Sequence, residues 1–295
     1  MPAQPAPAAQ DHRRAGAVLR LRARPDPRRR RQAGPGRRNE VGGSRRTLRP
    51  WAEKPRRRGR PRPAKFPAEA PAAILFTSGS SGAPKAAVLS HRALYYNARG
   101  ANQNLAVGSN DVWLATLPLC HVGGLGIVYR CLMAGATVAF PTPDTSLTAD
   151  LETLKVTHVS VVPTQLRRWL TSPAATALAA GLKAVLVGGA PASPDLLAQA
   201  FASGFPLRLS YGMTETASQI ATTPKYFPED ERFTCGRVLP SRELRVDERG
   251  QLQVRGMTLF SGYLRKDGTL DLPVDDDDWF ATGTSGASTS AATLR

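Results

Sequence analysis

From about residue 72 the chain alternates short apolar runs with longer stretches whose apolar residues recur at helical spacing. Ala72-Ala-Ile-Leu-Phe76 is a continuous apolar run ending in a Gly/Ser loop, which predicts a buried strand. Ser90 is a capping residue, and a helix follows it through Leu94, Tyr95 and Ala98. Val112–Thr116, Ala136–Phe140, His158–Val162 and Lys183–Val187 read as further strands. Gly123–Met133, Leu147–Leu154 and the segment after Pro163 read as the helices between them. Ser193-Pro-Asp195 opens another helix with a capping hydroxyl and a proline at its first position. Strands alternating with helices predict an α/β sheet. After Gly236 the runs become short and alternating, Glu243-Leu-Arg-Val246 and Gln251-Leu-Gln-Val-Arg255, as in the hairpins of a small β subdomain. No internal repeat is present.

The ends of the chain follow neither pattern. Residues 1–65 are Arg, Pro, Ala and Gly, as in Arg28-Arg-Arg-Arg31 and Pro55-Arg-Arg-Arg-Gly-Arg-Pro61, with almost no aromatic or β-branched residue. Such a segment buries too little apolar surface to offset its chain entropy and is expected to be disordered. It carries 19 Arg and 2 Lys against four acidic residues, which is the chain's entire net charge of +17; residues 66–295 balance at 19 basic and 19 acidic. The charge is therefore no argument that the folded body binds nucleic acid. Only non-specific contact through residues 1–65 is compatible with it. GC-rich coding sequence read out of frame yields the same Arg/Pro/Ala/Gly mixture, and this is the second reading of that segment. Residues 284–295 are low-complexity and equally unlike the middle.

Three cysteines, Cys120, Cys131 and Cys235, have no metal-ligand spacing, and an odd count makes a poor disulfide framework. No metal cluster is expected, and a reducing cytoplasm is the simplest compartment. No apolar run reaches the ~20 residues that cross a bilayer, and the N-terminus lacks the apolar core of a secretory signal. Prolines break the helix a transit peptide would need.

The densest chemistry lies in Thr77-Ser-Gly-Ser-Ser-Gly-Ala-Pro-Lys85. Gly79 and Gly82 let the backbone approach a polyphosphate and turn its N–H groups inward. Thr77, Ser78, Ser80 and Ser81 add hydroxyls, and Lys85 adds a mobile positive charge. The spacing is not that of a Walker loop, which needs GxxxxGK[ST] before a helix. A plain Gly/Ser surface loop would carry no such Pro84 and Lys85.

The whole string resembles the signature loop of the adenylate-forming superfamily, which includes acyl-CoA synthetases, luciferases and peptide-synthetase adenylation domains. Three further stretches resemble motifs of that superfamily, in the same order. Leu117-Pro-Leu-Cys-His121 with Val122-Gly-Gly124 resembles the motif whose His lies beside the acyl substrate. Val187-Gly-Gly-Ala-Pro191 resembles the turn lining adenine, which implicates Gly188, Gly189, Ala190 and Pro191. Tyr211-Gly-Met-Thr-Glu-Thr216 resembles the motif that stacks an aromatic ring on adenine and sets a carboxylate on Mg²⁺. The resemblance implies that a carboxylate attacks the α-phosphate of ATP, giving an acyl-adenylate and pyrophosphate, and that coenzyme A displaces AMP. It casts Lys85, His121, Thr214 and Glu215 as the catalytic residues, with Glu215 also on the metal. Tyr211, Gly212, Met213 and Thr214 join the signature loop in holding the nucleotide. Outside that context each has an ordinary role: Tyr211 as a core tyrosine, Thr214 and Glu215 as loop residues, His121 as a packed histidine. His91 and His158 have no motif around them and are expected to be structural.

Ser210–Ile220 and Leu117–Arg130 further resemble the o-succinylbenzoate–CoA ligases of menaquinone synthesis. Their substrate is an aromatic dicarboxylate, so Arg130 would attract its spectator carboxylate, with Ser218 and Gln219 hydrogen-bonding to it. The alternative for Arg130 is a surface helix charge. Other acids remain open, as do a nucleotide-binding protein without turnover and a basic-tailed nucleic-acid-binding protein.

The resemblance covers about residues 72–283. It implies part of the large N-terminal domain of the adenylate-forming fold: mixed sheets flanked by helices in an AMP-binding α/β core at 66–235, and a small β subdomain at 236–283. The resemblance leads to the expectation that the small C-terminal domain is absent, with the lysine that serves adenylation. After Trp279-Phe-Ala-Thr-Gly283 the family continues with an Asp that holds the ribose; here Thr284 stands there and cannot replace a bidentate carboxylate. The expectation is a truncated or frame-shifted ligase with little turnover by itself.

Overall fold

The computed structural model describes residues 18–20, 66–77, 84–285, 288–290 and 293–294. Of the signature loop, only Thr77, Pro84 and Lys85 are among them; Ser78, Gly79, Ser80, Ser81 and Gly82 lie outside. The described residues from Ala68 onward, with Val18–Arg20, belong to one compact unit, and Phe66 and Pro67 fall outside it.

In chain order the first elements are β1 (Val18–Arg20), β2 (Pro71–Thr77), β3 (Lys85–Ser90), α1 (His91–Leu105), β4 (Val112–Leu114), α2 (Val122–Ala134) and β5 (Thr137–Ala139). Then come α3 (Leu147–Thr153), β6 (His158–Val161), α4 (Pro163–Leu170), α5 (Ala175–Ala180), β7 (Ala184–Val187) and α6 (Pro194–Ala202). β8 (Leu207–Met213) and β9 (Ser218–Thr222) flank a 3₁₀ turn, Thr214–Thr216. β10 (Gly236–Val238), β11 (Arg242–Val246), β12 (Gln251–Gly256), β13 (Gly262–Leu264), β14 (Leu270–Asp271) and β15 (Phe280–Ser285) follow, then β16 (Ser288–Ser290) and β17 (Thr293–Leu294).

β5, β4, β6, β7 and β8 pair in that order, all parallel. Parallel strands need covered faces, and β6 and β7 accordingly have every residue buried. One layer of the core packs Val159, Val161, Val185 and Leu207 against Leu166, Trp169, Leu196 and Leu197 from α4 and α6. Antiparallel strands extend both sides of this core: β1 beyond β5, and β9, β10, β17 and β16 beyond β8. β1 lies within the span for which the sequence predicts no regular structure.

β2 and β3 form a hairpin that closes on the pair Thr77↔Lys85, and β13 pairs with β3 through Tyr263↔Ala87. Of the span 236–283, β11, β12 and β15 make a three-stranded antiparallel sheet, while β10, β13 and β14 belong to the other two sheets.

The helix starts follow the sequence. Ser90 accepts a hydrogen bond from Ala93 N at 3.2 Å and Ser193 one from Leu196 N at 3.4 Å. α1 buries Ala93, Leu94, Asn97, Ala98, Ala101 and Leu105, one stripe at helical spacing. No described helix is long and apolar enough to cross a membrane.

Candidate active site

The carboxyl ends of parallel strands are where an open α/β sheet offers a crevice. Beyond β6, β7 and β8 lies a cavity of about 120 Å³ lined by Leu117, Val122, Arg130, Gly188, Ser210 and Ser218, with Gly189, Gly212 and Gln219 among its other walls. Three of the motifs expected from the sequence therefore meet at one cavity, together with the three proposed acid-binding residues. Ala190 and Pro191 are exposed and off its wall. His121 is exposed at the N-cap of α2 and is not on the wall either, although Val122 and Gly123 after it are.

Arg130 is not a surface helix charge. It is 1% exposed, and burial pulls its guanidinium down to about 10, still protonated at neutral pH. Its Nε donates to Gly126 O at 3.0 Å and its guanidinium lies 4.8 Å from the Trp113 ring centre. Trp113 in turn stacks on the buried His158, which contacts Thr157 Oγ1 at 2.9 Å, a structural role as expected. No carboxylate pairs with Arg130 among the described residues, and its Nη1 is buried without a hydrogen-bond partner. Gly126 makes the room: a Cβ there would stand 2.6 Å from Arg130 Nη2 and 3.6 Å from Ser218 Oγ. Gln219 Oε1 and Tyr211 Oη are likewise buried and unpartnered. Natural structures leave few such groups, and here two of the three, on Arg130 and Gln219, belong to residues lining one cavity.

The wall carrying Ser218 and Gln219 is held from outside. Asn97 Nδ2 donates to Thr216 O at 2.9 Å and to Gln219 O at 3.0 Å, and Arg242 Nη1 also donates to Gln219 O. Burial lowers Arg242 to about 9. The turn is strained, since Ala217 (φ 55°) and Ser218 (φ 117°) are non-glycine residues with positive φ. Gly212 is required opposite them, because a Cβ would sit 1.9 Å from Ser218 O.

Thr214 and Glu215 lie on the 3₁₀ turn. Glu215 is 5% exposed, and its Oε1 accepts the Tyr263 hydroxyl at 2.7 Å, the only hydrogen bond of that carboxylate among the described residues. Lys85 Nζ stands 5.0 Å from the centre of the same tyrosine ring. The described residues hold no group of three or more His, Cys, Asp or Glu that could bind a metal ion. A lone, cation-free carboxylate suits a metal that takes most of its ligands from phosphate and water, as Mg²⁺ does. Sequence reasoning missed Gly126, Asn97, Arg242 and Tyr263. Only the i, i+4 spacing of Gly126 and Arg130 hinted at any of them.

A larger cavity of about 480 Å³ lies elsewhere, between Leu114, Pro141, Leu147 and Trp169, and no motif residue lines it.

Residues 6–264 match the family of AMP-binding enzymes. The match thus starts well ahead of residue 72, where the motifs alone placed it. The chain is 35% identical over 228 residues to a 2-succinylbenzoate–CoA ligase of Staphylococcus epidermidis, covering 74% of this chain and 47% of that protein. It is 40% identical over 211 residues to the Salmonella typhimurium enzyme of the same name, covering 71% and 43%. Among solved structures, Bacillus subtilis o-succinylbenzoate CoA synthetase in complex with the acyl-adenylate intermediate OSB-AMP superimposes with a TM-score of 0.68 at 28% identity, over 78% of this chain and 62% of that one. Wild-type E. coli MenE with a bound analogue of OSB-AMS gives 0.65 at 32% identity, over 78% and 49%. The chain spans about half the length of the curated relatives it matches. With three of its motifs meeting at one cavity of an α/β fold and the family matched over residues 6–264, this chain belongs to the AMP-binding enzymes.

Proposed function

We propose that this chain carries the adenylation half of an ATP-dependent carboxylate–CoA ligase acting on o-succinylbenzoate, in the cytoplasm, as a step of menaquinone synthesis. The observation that carries the substrate class is Arg130, a buried cation without an acidic partner among the described residues, on a cavity wall shared with Ser218 and Gln219. An acid bearing a second carboxylate would supply that missing charge through short hydrogen bonds. An acid with a single carboxylate would leave it stranded.

In this reading Thr77, Lys85 and the signature loop hold the phosphates, and the Gly188-Gly189 turn and Tyr211 border the adenine. Thr214 donates to the α-phosphate, and His121 flanks the acyl group. Lys85 and Thr214 stabilise charge that builds on phosphate oxygens as the substrate carboxylate attacks; fixed donors aimed at such charge are worth more than the same groups in water. Glu215 would hold Mg²⁺, which when bound supplies further charge neutralisation. Coenzyme A is the second substrate and releases AMP.

The test is calorimetric titration with AMP and with a stable analogue of o-succinylbenzoyl adenylate. Arg130→Ala should weaken the analogue about 100-fold, the loss typical of a charged hydrogen-bonding pair, and leave AMP unchanged. Equal affinities for the analogue in both proteins would remove the dicarboxylate assignment. Pyrophosphate release from o-succinylbenzoate, ATP and Mg²⁺ then reports how much turnover this chain supports.

A further inference from the structure

Resting on that reading of Glu215, we propose that Tyr263 is a positioning residue that couples the mouth of the phosphate loop to the metal carboxylate. Tyr263 lies on β13, directly opposite Ala87 of β3. Its ring therefore reaches the closing pair of the β2–β3 hairpin, where Lys85 Nζ stands 5.0 Å from the ring centre. Its hydroxyl reaches the other way, donating to Glu215 Oε1 at 2.7 Å. The ring is fixed edge-on against Phe260 at 4.8 Å, and Phe260 packs against Phe280 at 5.3 Å, both buried. Phe260 N also donates to the Glu215 carbonyl at 2.8 Å.

Glu215 thus has both its backbone and its side chain tied to one short aromatic segment. The side-chain bond removes rotamer freedom that a buried carboxylate would otherwise lose on meeting a cation. The hydroxyl occupies one lone pair of Oε1 and leaves the carboxylate's remaining acceptor capacity for another partner. The ring face gives Lys85 an attractive surface that fixes its ammonium without neutralising it, so the charge stays available to a phosphate. One side chain in this way sets the spacing between a phosphate-binding cation at the start of β3 and a metal-binding anion on the 3₁₀ turn after β8.

The experiment is ATP binding to the full chain, measured by calorimetry across a Mg²⁺ series, for the parent, Tyr263→Phe, Glu215→Gln and the double variant. AMP affinity without Mg²⁺ and the melting temperature are measured alongside. Tyr263→Phe keeps the ring and removes only the hydroxyl. It should raise the half-saturating Mg²⁺ about tenfold, as loss of a hydrogen bond to a charged group does, with AMP affinity unchanged. In the Glu215→Gln background the same change should add nothing. Mg²⁺ dependence that is lost in Glu215→Gln yet untouched by Tyr263→Phe overturns the role of Tyr263 alone. A parent that binds ATP without regard to Mg²⁺ overturns the metal reading of Glu215 and this proposal with it. A Tyr263→Phe effect that persists in the double variant, or weakens AMP equally, marks mere structural support and also overturns it.

Discussion

At 1% exposure and with Nη1 unpartnered, the Arg130 guanidinium carries its charge where no described carboxylate neutralises it. Folding therefore disfavours the charged form, which is why burial lowers it from the ordinary arginine range to about 10. The penalty is present in full below that value and is relieved as the pH rises through it toward the ordinary arginine range. Two outcomes follow from this sign. Arg130→Met should leave the ligand-free protein as stable as the parent or raise its melting temperature, since an unbranched apolar side chain replaces a stranded charge; differential scanning calorimetry checks this. Affinity for a carboxylate-bearing ligand should be flat over roughly pH 7–9 and fall above about pH 10, where the cation is lost, as titrations across that range would show. The residue itself was legible in the sequence, because a basic residue nine positions after His121 resembles the ligases of one substrate. Its burial was not. Burial depends on Gly126 one turn earlier and on Trp113 across the sheet, two contacts no local pattern encodes.

The β8–β9 hairpin shows where local patterning stops. Leu207-Arg-Leu-Ser-Tyr-Gly-Met213 alternates as a strand does, but Ser218–Thr222 does not, so the pairing of the two is not legible locally, although the motif joining them was plain. The pairing is stabilised by partners more than 100 residues away in the chain, chiefly Asn97 on the buried stripe of α1. Asn97→Ala should cost about 2–3 kcal/mol, from two lost hydrogen bonds and two buried carbonyls left with fewer donors. Urea denaturation would measure it, and a loss under 0.5 kcal/mol would argue against this bracing. Gly212→Ala should cost more, about 3 kcal/mol or above, because the obstruction is backbone, not a mobile side chain. Most helix starts and the parallel strands β4 to β7 were read well because caps and apolar runs are local signals. The hairpin and its bracing are tertiary.

For the molecule as a whole, the sheet is most protected where it is parallel, paired on both sides and covered on both faces. Amide hydrogen exchange should be slowest in Val159–Val161 and Val185–Val187 and faster in β11 and β14, which lie on sheet edges; mass spectrometry of peptic fragments resolves the order. The alternation of strands and helices conveyed this architecture directly. It did not convey how the later strands are shared out. β13 returns to β3, and that return brings Tyr263 to Glu215. A pairing between strands more than 170 residues apart leaves no periodic trace in either.

Trp113 ends up between His158 and the Arg130 guanidinium, with its indole Nε1 donating to Ser160 Oγ at 3.1 Å. A negative charge arriving at that guanidinium changes the electric field across the indole, and the indole's emission wavelength follows the field. The protein is in this sense its own optical sensor. Titration of a dicarboxylate ligand should shift the tryptophan spectrum without any added label, and Trp113→Phe should silence the shift while Trp169 and Trp279 go on emitting.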